Sequence, residues 1–406
     1  MGHLICRPQT VIAVALASWM LLTSVPAAPH IPSREEREAI DVCLGRMPAG
    51  IQVAVALVRR GEVRFLGAEQ TGAGIRPVEN RGAVFQIASI TKVFTAALLA
   101  REVVQGNLSL DDPVAARIGV PLKAVGRDGV AMTLGHLASH TSGIAHHQPP
   151  WLGVRSWLRL HPREPWKGYD RERFERYLAR ELTVQSTPGT AYHYSNMGMS
   201  LLGLALSERA GKPYETLLQE GIFGPLGMQY STTDFNRVRD RVVVGRKVDG
   251  TTYPNQDMEA LTPSGGIFTS AEDMARFAAA VLGGTDPALA LTQRPVFTIA
   301  DREQVALGWH VYTWREGWQI LNHNGGIGGY TTTLNVDPEN GRAVVVLANV
   351  MNVGEHGEAV RALGRALLRI IAASAPDEPV SLAGVRRQRL EVTSTPRPGK
   401  GSLPTR

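Results

Sequence analysis

Cysteine is nearly absent, with only Cys6 and Cys43 among 406 residues. A disulfide framework is thereby excluded, and so is a cysteine-rich metal site. Lysine is scarce as well: six of the 43 cations, so a lysine in a chemically meaningful register is less readily explained by composition. Neither sign of charge dominates, since 43 Lys plus Arg against 37 Asp plus Glu leaves +6, which over this length gives no argument for a nucleic-acid partner. Only one long apolar run occurs, at 11–22. It follows Arg7 and precedes Val25-Pro26-Ala27-Ala28, the order of charge, apolar stretch and small residues found in a secretory signal. The run falls short of the roughly 20 residues of a spanning helix. The expectation is therefore a signal at 1–28 that is removed, no stable membrane span after cleavage, and a secreted or periplasmic product of the cell envelope. Cys6 leaves with the signal, and Cys43, at the end of a helical apolar pattern, reads as a buried inert thiol.

What is present is a composition with 44% apolar residues, enough for a large core. Residues 34–47 have helical spacing. Apolar runs at 51–58 and 63–66 flank Arg59-Arg60-Gly61-Glu62, a hairpin signal. A helix is expected from Ser89 to about Gln105, stopped by Gly106. Residues 107–290 read as helical segments broken by Pro and Gly. Strand patterns return at 304–314, 318–321, 331–336 and 342–347, and a helix over 355–373 closes the globule. Strands at both ends with helices between them predict an α+β architecture, one antiparallel sheet built from the two termini and interrupted by a helical lobe. The expected organisation is a domain over 29–375, with a sheet lobe at 35–106 and 295–373, a helical lobe at 107–294, and a flexible basic tail at 376–406.

Three short segments carry chemistry. Ser89-Ile90-Thr91-Lys92 opens an apolar helix, and a spacing of three puts a hydroxyl and an amine on one face. A serine hydroxyl needs a neighbour to take its proton, and a buried lysine can neutralise or relay charge. No other lysine of the chain has a serine three residues before it. The structural alternative has Ser89 capping the helix and Lys92 in solvent; the apolar flanks Phe85-Gln86-Ile87-Ala88 and Val93-Phe94 argue for a buried helix instead. Tyr194-Ser195-Asn196 follows the turn Pro188-Gly189-Thr190, though Tyr253-Pro254-Asn255 matches the same triplet and reads as a turn. A phenol serves as a base only where a cation such as Lys92 favours the phenolate. His323-Asn324-Gly325-Gly326 lies between two strand patterns, with Gly328-Gly329 behind it. Strand N–H groups there can hold an oxyanion, and by itself the tetrapeptide reads as a glycine-rich hairpin turn.

Taken in order, these segments resemble the penicillin-recognising serine hydrolases, in the branch of class C β-lactamases, DD-peptidases and related esterases. Supporting segments are 106–113, Leu137-Ala138-Ser139-His140-Thr141-Ser142-Gly143 and 263–270, so the resemblance runs from about residue 35 to 373. It implies a β-lactamase/transpeptidase-like fold with no cofactor, and a small-molecule or peptide substrate, cell-wall-derived peptides among them. It makes Ser89 the acylated nucleophile, Lys92 its charge partner, and Tyr194 the base in acylation and the acid for the leaving group. Asn196 becomes a partner of Lys92 and of the substrate amide. His323, Asn324 and Gly325 line the substrate strand, and the N–H groups of Ser89 and Gly326 form the oxyanion hole. The implied reaction is two-step acyl transfer through a serine ester.

The third segment departs from the pattern, being His-Asn-Gly where β-lactamases of this branch usually have Lys-Thr-Gly. A permanent cation and a hydroxyl that would meet a substrate carboxylate are both replaced. That lowers the β-lactamase reading, weakens DD-carboxypeptidase activity, and favours a D-amino-acid peptidase or an esterase. The other readings that stand are a class C-like β-lactamase and, from another class, a non-catalytic sensor or wall-binding protein. Gly-x-Ser-x-Gly is missing, which removes the α/β-hydrolase alternative. His136, His140, His146 and His147 cluster without a nearby Cys or acid; His136 and His140 have metal-ligand spacing, but a structural loop is the better reading and no metal is expected. Trp151, Trp157, Trp166 and Tyr169 alternate with cations, read as stems packed over aromatics. Arg386, Arg387 and Arg389 make the tail basic.

Overall fold

In the computed structural model, which describes residues 31–59, 62–145 and 164–374, helix α1 (Arg34–Leu44) starts on a capping box. The Ser33 hydroxyl accepts the Glu36 N–H, and Glu36 Oε2 accepts the Ser33 N–H at 2.9 Å. The chain then forms β1 (Gln52–Arg59), β2 (Glu62–Gln70) and β3 (Ile75–Pro77). After β4 (Val84–Gln86) come a 3₁₀ turn at Ala88–Ile90 and helix α2 (Thr91–Val104). The small strands β5 (Gly126–Arg127) and β6 (Val130–Ala131) precede helix α3 (Asn196–Ala210), and β7 (Phe268–Ser270) leads into α4 (Ala271–Gly283). The last third supplies β8 (Phe297–Ala300), β9 (Glu303–Val305), β10 (His310–Thr313), β11 (Gln319–Ile327), β12 (Tyr330–Asp337), β13 (Arg342–Ala348) and helix α5 (Gly354–Ala373). The expected signal and tail lie outside the described residues.

Nine strands form one sheet in the order β3-β2-β1-β13-β12-β11-β10-β9-β8, every neighbouring pair antiparallel. The two ends of the chain meet at its centre, where Val53 lies opposite Ala348. Strand alternation explains why β1 reads as an unbroken apolar run: both of its faces are covered. Val53, Val55 and Leu57 pack with Ile40 and Leu44 of α1 and Val360, Leu363 and Leu367 of α5. Ala54, Ala56 and Val58 belong to the larger core on the other face, with Phe94 of α2 and Phe277 of α4. Cys43 is buried in the first of these cores, as its pattern indicates, and burial pushes its thiol up to about 12.

Two stretches differ from the sequence expectation. The 304–314 pattern is not one strand: it breaks between β9 and β10, where Gly308 has φ +75° and a Cβ would stand 2.8 Å from the Lys92 carbonyl oxygen. A chain pressed against α2 at that point must turn away, and only glycine fits. The 323–326 tetrapeptide is not a connection between strands but the body of β11, and the reversal comes two residues later at Gly328, whose φ is +47°. No helix among the described residues is long and apolar enough to cross a membrane.

Candidate active site

The candidate site is built where β11 runs past the turn before α2. A Cβ on Gly325 would lie 2.2 Å from the Ile87 carbonyl oxygen, so this strand can approach the turn only as glycine. Thr332 Oγ1 on the neighbouring strand donates to the same carbonyl at 3.0 Å. Immediately after it, Ala88 takes φ +50°, a left-handed conformation costly for a residue with a Cβ. That strained residue delivers Ser89 to a partly exposed position, while Lys92 one turn on is fully buried.

Lys92 Nζ stands 3.1 Å from Ser89 Oγ and donates to the Ser264 carbonyl oxygen at 2.6 Å. It also lies 4.8 Å from the centre of the Tyr194 ring. The Tyr194 phenol is hydrogen-bonded to Ser89, so the hydroxyl, the amine and the phenol lie together. Burial drives the Lys92 ammonium well below its ordinary range, and it raises the Tyr194 phenol, against which the bond to Ser89 works. Both groups are therefore held towards their neutral forms.

Tyr194 is fixed from behind. The Ser195 hydroxyl caps α3 by accepting the Gly198 N–H at 3.0 Å, and the Ser195 N–H donates to His140 Nδ1 at 3.2 Å. The His140 ring lies 4.6 Å from that of Tyr194. His136 Nδ1 accepts the Thr133 N–H at 3.3 Å, so each of these rings has a backbone partner of its own. Among the described residues no group of three or more His, Cys, Asp or Glu side chains is placed to hold a metal; His146, His147, Trp151 and Trp157 lie outside them. Trp166 and Tyr169 are buried in the larger core, whereas Lys167 pairs with Glu164 at the surface.

The remaining expected site residues divide. His323 and Gly325 share the face of β11 that looks towards Ser89, and the His323 ring stands 6.3 Å from Tyr194. Burial, then Lys92, then His310 hold His323 well below its ordinary value, so it is neutral. Asn324 does not face Ser89: its side-chain amide donates to Asn322 Oδ1 at 3.0 Å, on the opposite side of the strand. Nor does Asn196 partner Lys92, whose hydrogen bonds go to Ser89 and the Ser264 carbonyl; Asn196 Oδ1 is buried with no hydrogen-bond partner among the described residues. Gly326 is exposed at the strand's outer end, opposite Thr331. Sequence reasoning missed the Ser264 carbonyl, because a backbone acceptor leaves no side-chain signature, and it missed His310, Glu303 and Tyr192, whose spacing matches no motif.

A family model described as Beta-lactamase matches residues 46–368. The chain belongs to the beta-lactamase family. The family is that of the penicillin-recognising serine hydrolases. The D-alanyl-D-alanine-carboxypeptidase/endopeptidase AmpH of Escherichia coli (strain K12) is 30% identical over 343 residues, covering 78% of this chain and 85% of that protein. Penicillin-binding protein 4 of Amycolatopsis lactamdurans is 28% identical over 329 residues, covering 73% and 80%. Among solved structures, a class C beta lactamase from Rhodobacter sphaeroides superposes with a TM-score of 0.66 at 23% identity, covering 84% of this chain and all of that one. The β-lactamase family fold thus accounts for the sheet and its inserted helices.

Proposed function

We propose that this β-lactamase family member is an exported serine hydrolase that forms an acyl-enzyme on Ser89 and acts on a peptide, amide or ester of D-amino-acid peptidase or esterase type. The observation that carries the reading is the 3.1 Å approach of a fully buried Lys92 Nζ to the partly exposed Ser89 Oγ. Ser89 attacks the substrate carbonyl and its proton passes to Lys92. The resemblance gives this step to Tyr194, but burial disfavours the phenolate and favours the free amine, which argues for Lys92 as the first acceptor. The hydrogen bond to the Ser264 carbonyl holds the amine in register.

The tetrahedral oxyanion is received by the N–H groups of Ser89 and Gly326. Tyr194 protonates the leaving group and recovers its proton from the Lys92 ammonium beside its ring. Water then repeats the sequence on the ester, returning Ser89. Asn196, with a buried oxygen lacking a partner among the described residues, is the acceptor for a substrate N–H. Neutral His323 in place of a lysine, with Asn324 turned away, supports a substrate that does not depend on a carboxylate at this position.

The test is intact-mass detection of a covalent adduct after exposure to β-lactams, D-amino-acid peptides and short-chain esters. An adduct on the parent protein that disappears in Ser89→Ala is expected. An adduct retained by Ser89→Ala, or turnover with no role for Ser89, overturns the assignment. Rapid hydrolysis of a chromogenic cephalosporin overturns the peptidase or esterase ranking in favour of a β-lactamase.

A further inference from the structure

Five rings close a circuit beside the nucleophile. Tyr194 and His323 are 6.3 Å apart, His323 and His310 6.0 Å, His310 and Tyr192 5.8 Å, Tyr192 and His140 6.0 Å, and His140 and Tyr194 4.6 Å. His140 and His323 are the buried back of this circuit; Tyr192, Tyr194 and His310 are its partly exposed front. Tyr312 extends the front, stacked on His310 at 5.7 Å and 5°.

At the outer end stands a carboxylate. Glu303 Oε1 lies 3.2 Å from His310 Nδ1, and the other ring nitrogen, Nε2, is 3.2 Å from the Tyr192 hydroxyl. The Tyr312 hydroxyl stands 3.5 Å from the same Nδ1. Among the described residues Glu303 has no lysine or arginine partner, and its side chain keeps 30% of its exposure. Burial holds His310 below its ordinary value even though Glu303 pulls the other way, so the carboxylate is surrounded by hydrogen-bonding groups without being neutralised by them.

We propose that Glu303, together with Tyr192, His310 and Tyr312, forms a subsite for a substrate ammonium group. The inference rests on the reading of Ser89 as the acylated residue, which fixes where the attacked carbonyl sits. Aromatic faces attract cations and repel anions, and a carboxylate among them adds a charged partner. A substrate carboxylate placed here meets Glu303 and finds only neutral histidines. The subsite is two ring-to-ring steps from Tyr194, a span covered by a long side chain or by neighbouring peptide residues at about 3.4 Å each. The substrate class is accordingly an amide or ester whose acyl or leaving part bears a primary amine.

The proposal is tested by calorimetric titration of the full chain carrying Ser89→Ala with Nα-acetyl-D-lysinamide and with its Nε-acetylated derivative, in which a neutral acetamide replaces the ammonium. The amine is expected to bind about tenfold more tightly, the scale of a partly desolvated cation–π and carboxylate contact. Glu303→Gln should bring the ratio near one, and Glu303→Asp, which keeps the charge, should retain a preference. A ratio near one in the Ser89→Ala protein, no heat from either ligand, or a ratio unaffected by Glu303→Gln overturns the subsite. The hydrolase reading is judged separately, by turnover of either amide with Ser89 in place; no turnover with the binding preference intact sinks that reading and leaves the subsite standing.

Discussion

Helices α2 and α5 solve burial in opposite ways. In α5 the buried positions are Gly357, Ala359, Val360, Leu363, Gly364, Leu367, Leu368 and Ile371, a stripe at helical spacing. Its outer face carries ion pairs, Glu358 to Arg361 at 3.0 Å and Arg369 to Glu316 at 3.0 Å. In α2 every residue from Thr91 to Ala100 is buried, so that stretch of the helix has no wet side on which to place a charge, and the charged Arg101 and Glu102 come only in the last, partly exposed turn. Polarity on α5 is an ordinary surface, whereas a lysine on α2 is retained against its desolvation cost. Where a helix is covered all round, a single ionisable side chain marks chemistry; on an amphipathic helix the same residue marks solvent.

The sharpest way to break that contrast is Lys92→Met. Hydrolysis should fall by roughly 10³-fold or more, as for removal of one member of a catalytic unit, while the melting temperature holds or rises. Loss of folding together with activity would show that Lys92 is structural. Leu367→Ala should do the reverse, costing about 2–5 kcal/mol in denaturant unfolding with kcat/KM unchanged.

A third measurement separates the helices by pH. Because the folded-state pKa of Lys92 is lowered from its ordinary 10.5, the unfolded chain binds a proton there that the folded chain does not. Stability of the parent protein from this group therefore rises with pH up to that value. The stability advantage of Lys92→Met should be widest near neutrality and shrink towards pH 10.5; an advantage that grows with pH contradicts the burial argument. His323, lowered from 6.5, adds a similar slope on the acid side, with stability lost as pH falls below that value. The smallest effect belongs to the outer face of α5. Arg369→Ala removes an exposed ion pair and a stacking contact 4.4 Å from the Trp314 ring, and should cost about 1 kcal/mol or less.

The same contrast explains what could be read from the sequence. A serine and a lysine three apart on an apolar helix are a local pattern, so Ser89 and Lys92 were legible, and the doubly covered strands at both ends announced the sheet. Tyr194 was legible only through its order relative to the other segments, since Tyr253-Pro254-Asn255 has the same spacing. The orientation of Asn324 was not, because which side chains of β11 face Ser89 follows from where the strand begins and ends, and its glycines read locally as a turn. The partner of Lys92 was hidden for a different reason: the Ser264 carbonyl is brought in by packing across 172 residues of chain. Glu303, His310 and Tyr192 likewise meet through sheet pairing and a loop from the helical lobe, with no periodicity to announce them.

The position of β13 has a consequence for how the molecule comes into being. It alone joins β1 to β12, and the Gln52 N–H that reaches across to Asn349 waits for a residue 297 places later. Closing so long a loop is slow and comes late. During synthesis the helix that carries Ser89 and Lys92 leaves the ribosome well before the strand that unites the sheet, so in a nascent chain stopped short of β13 these two residues are present while the sheet beside them is still in two parts.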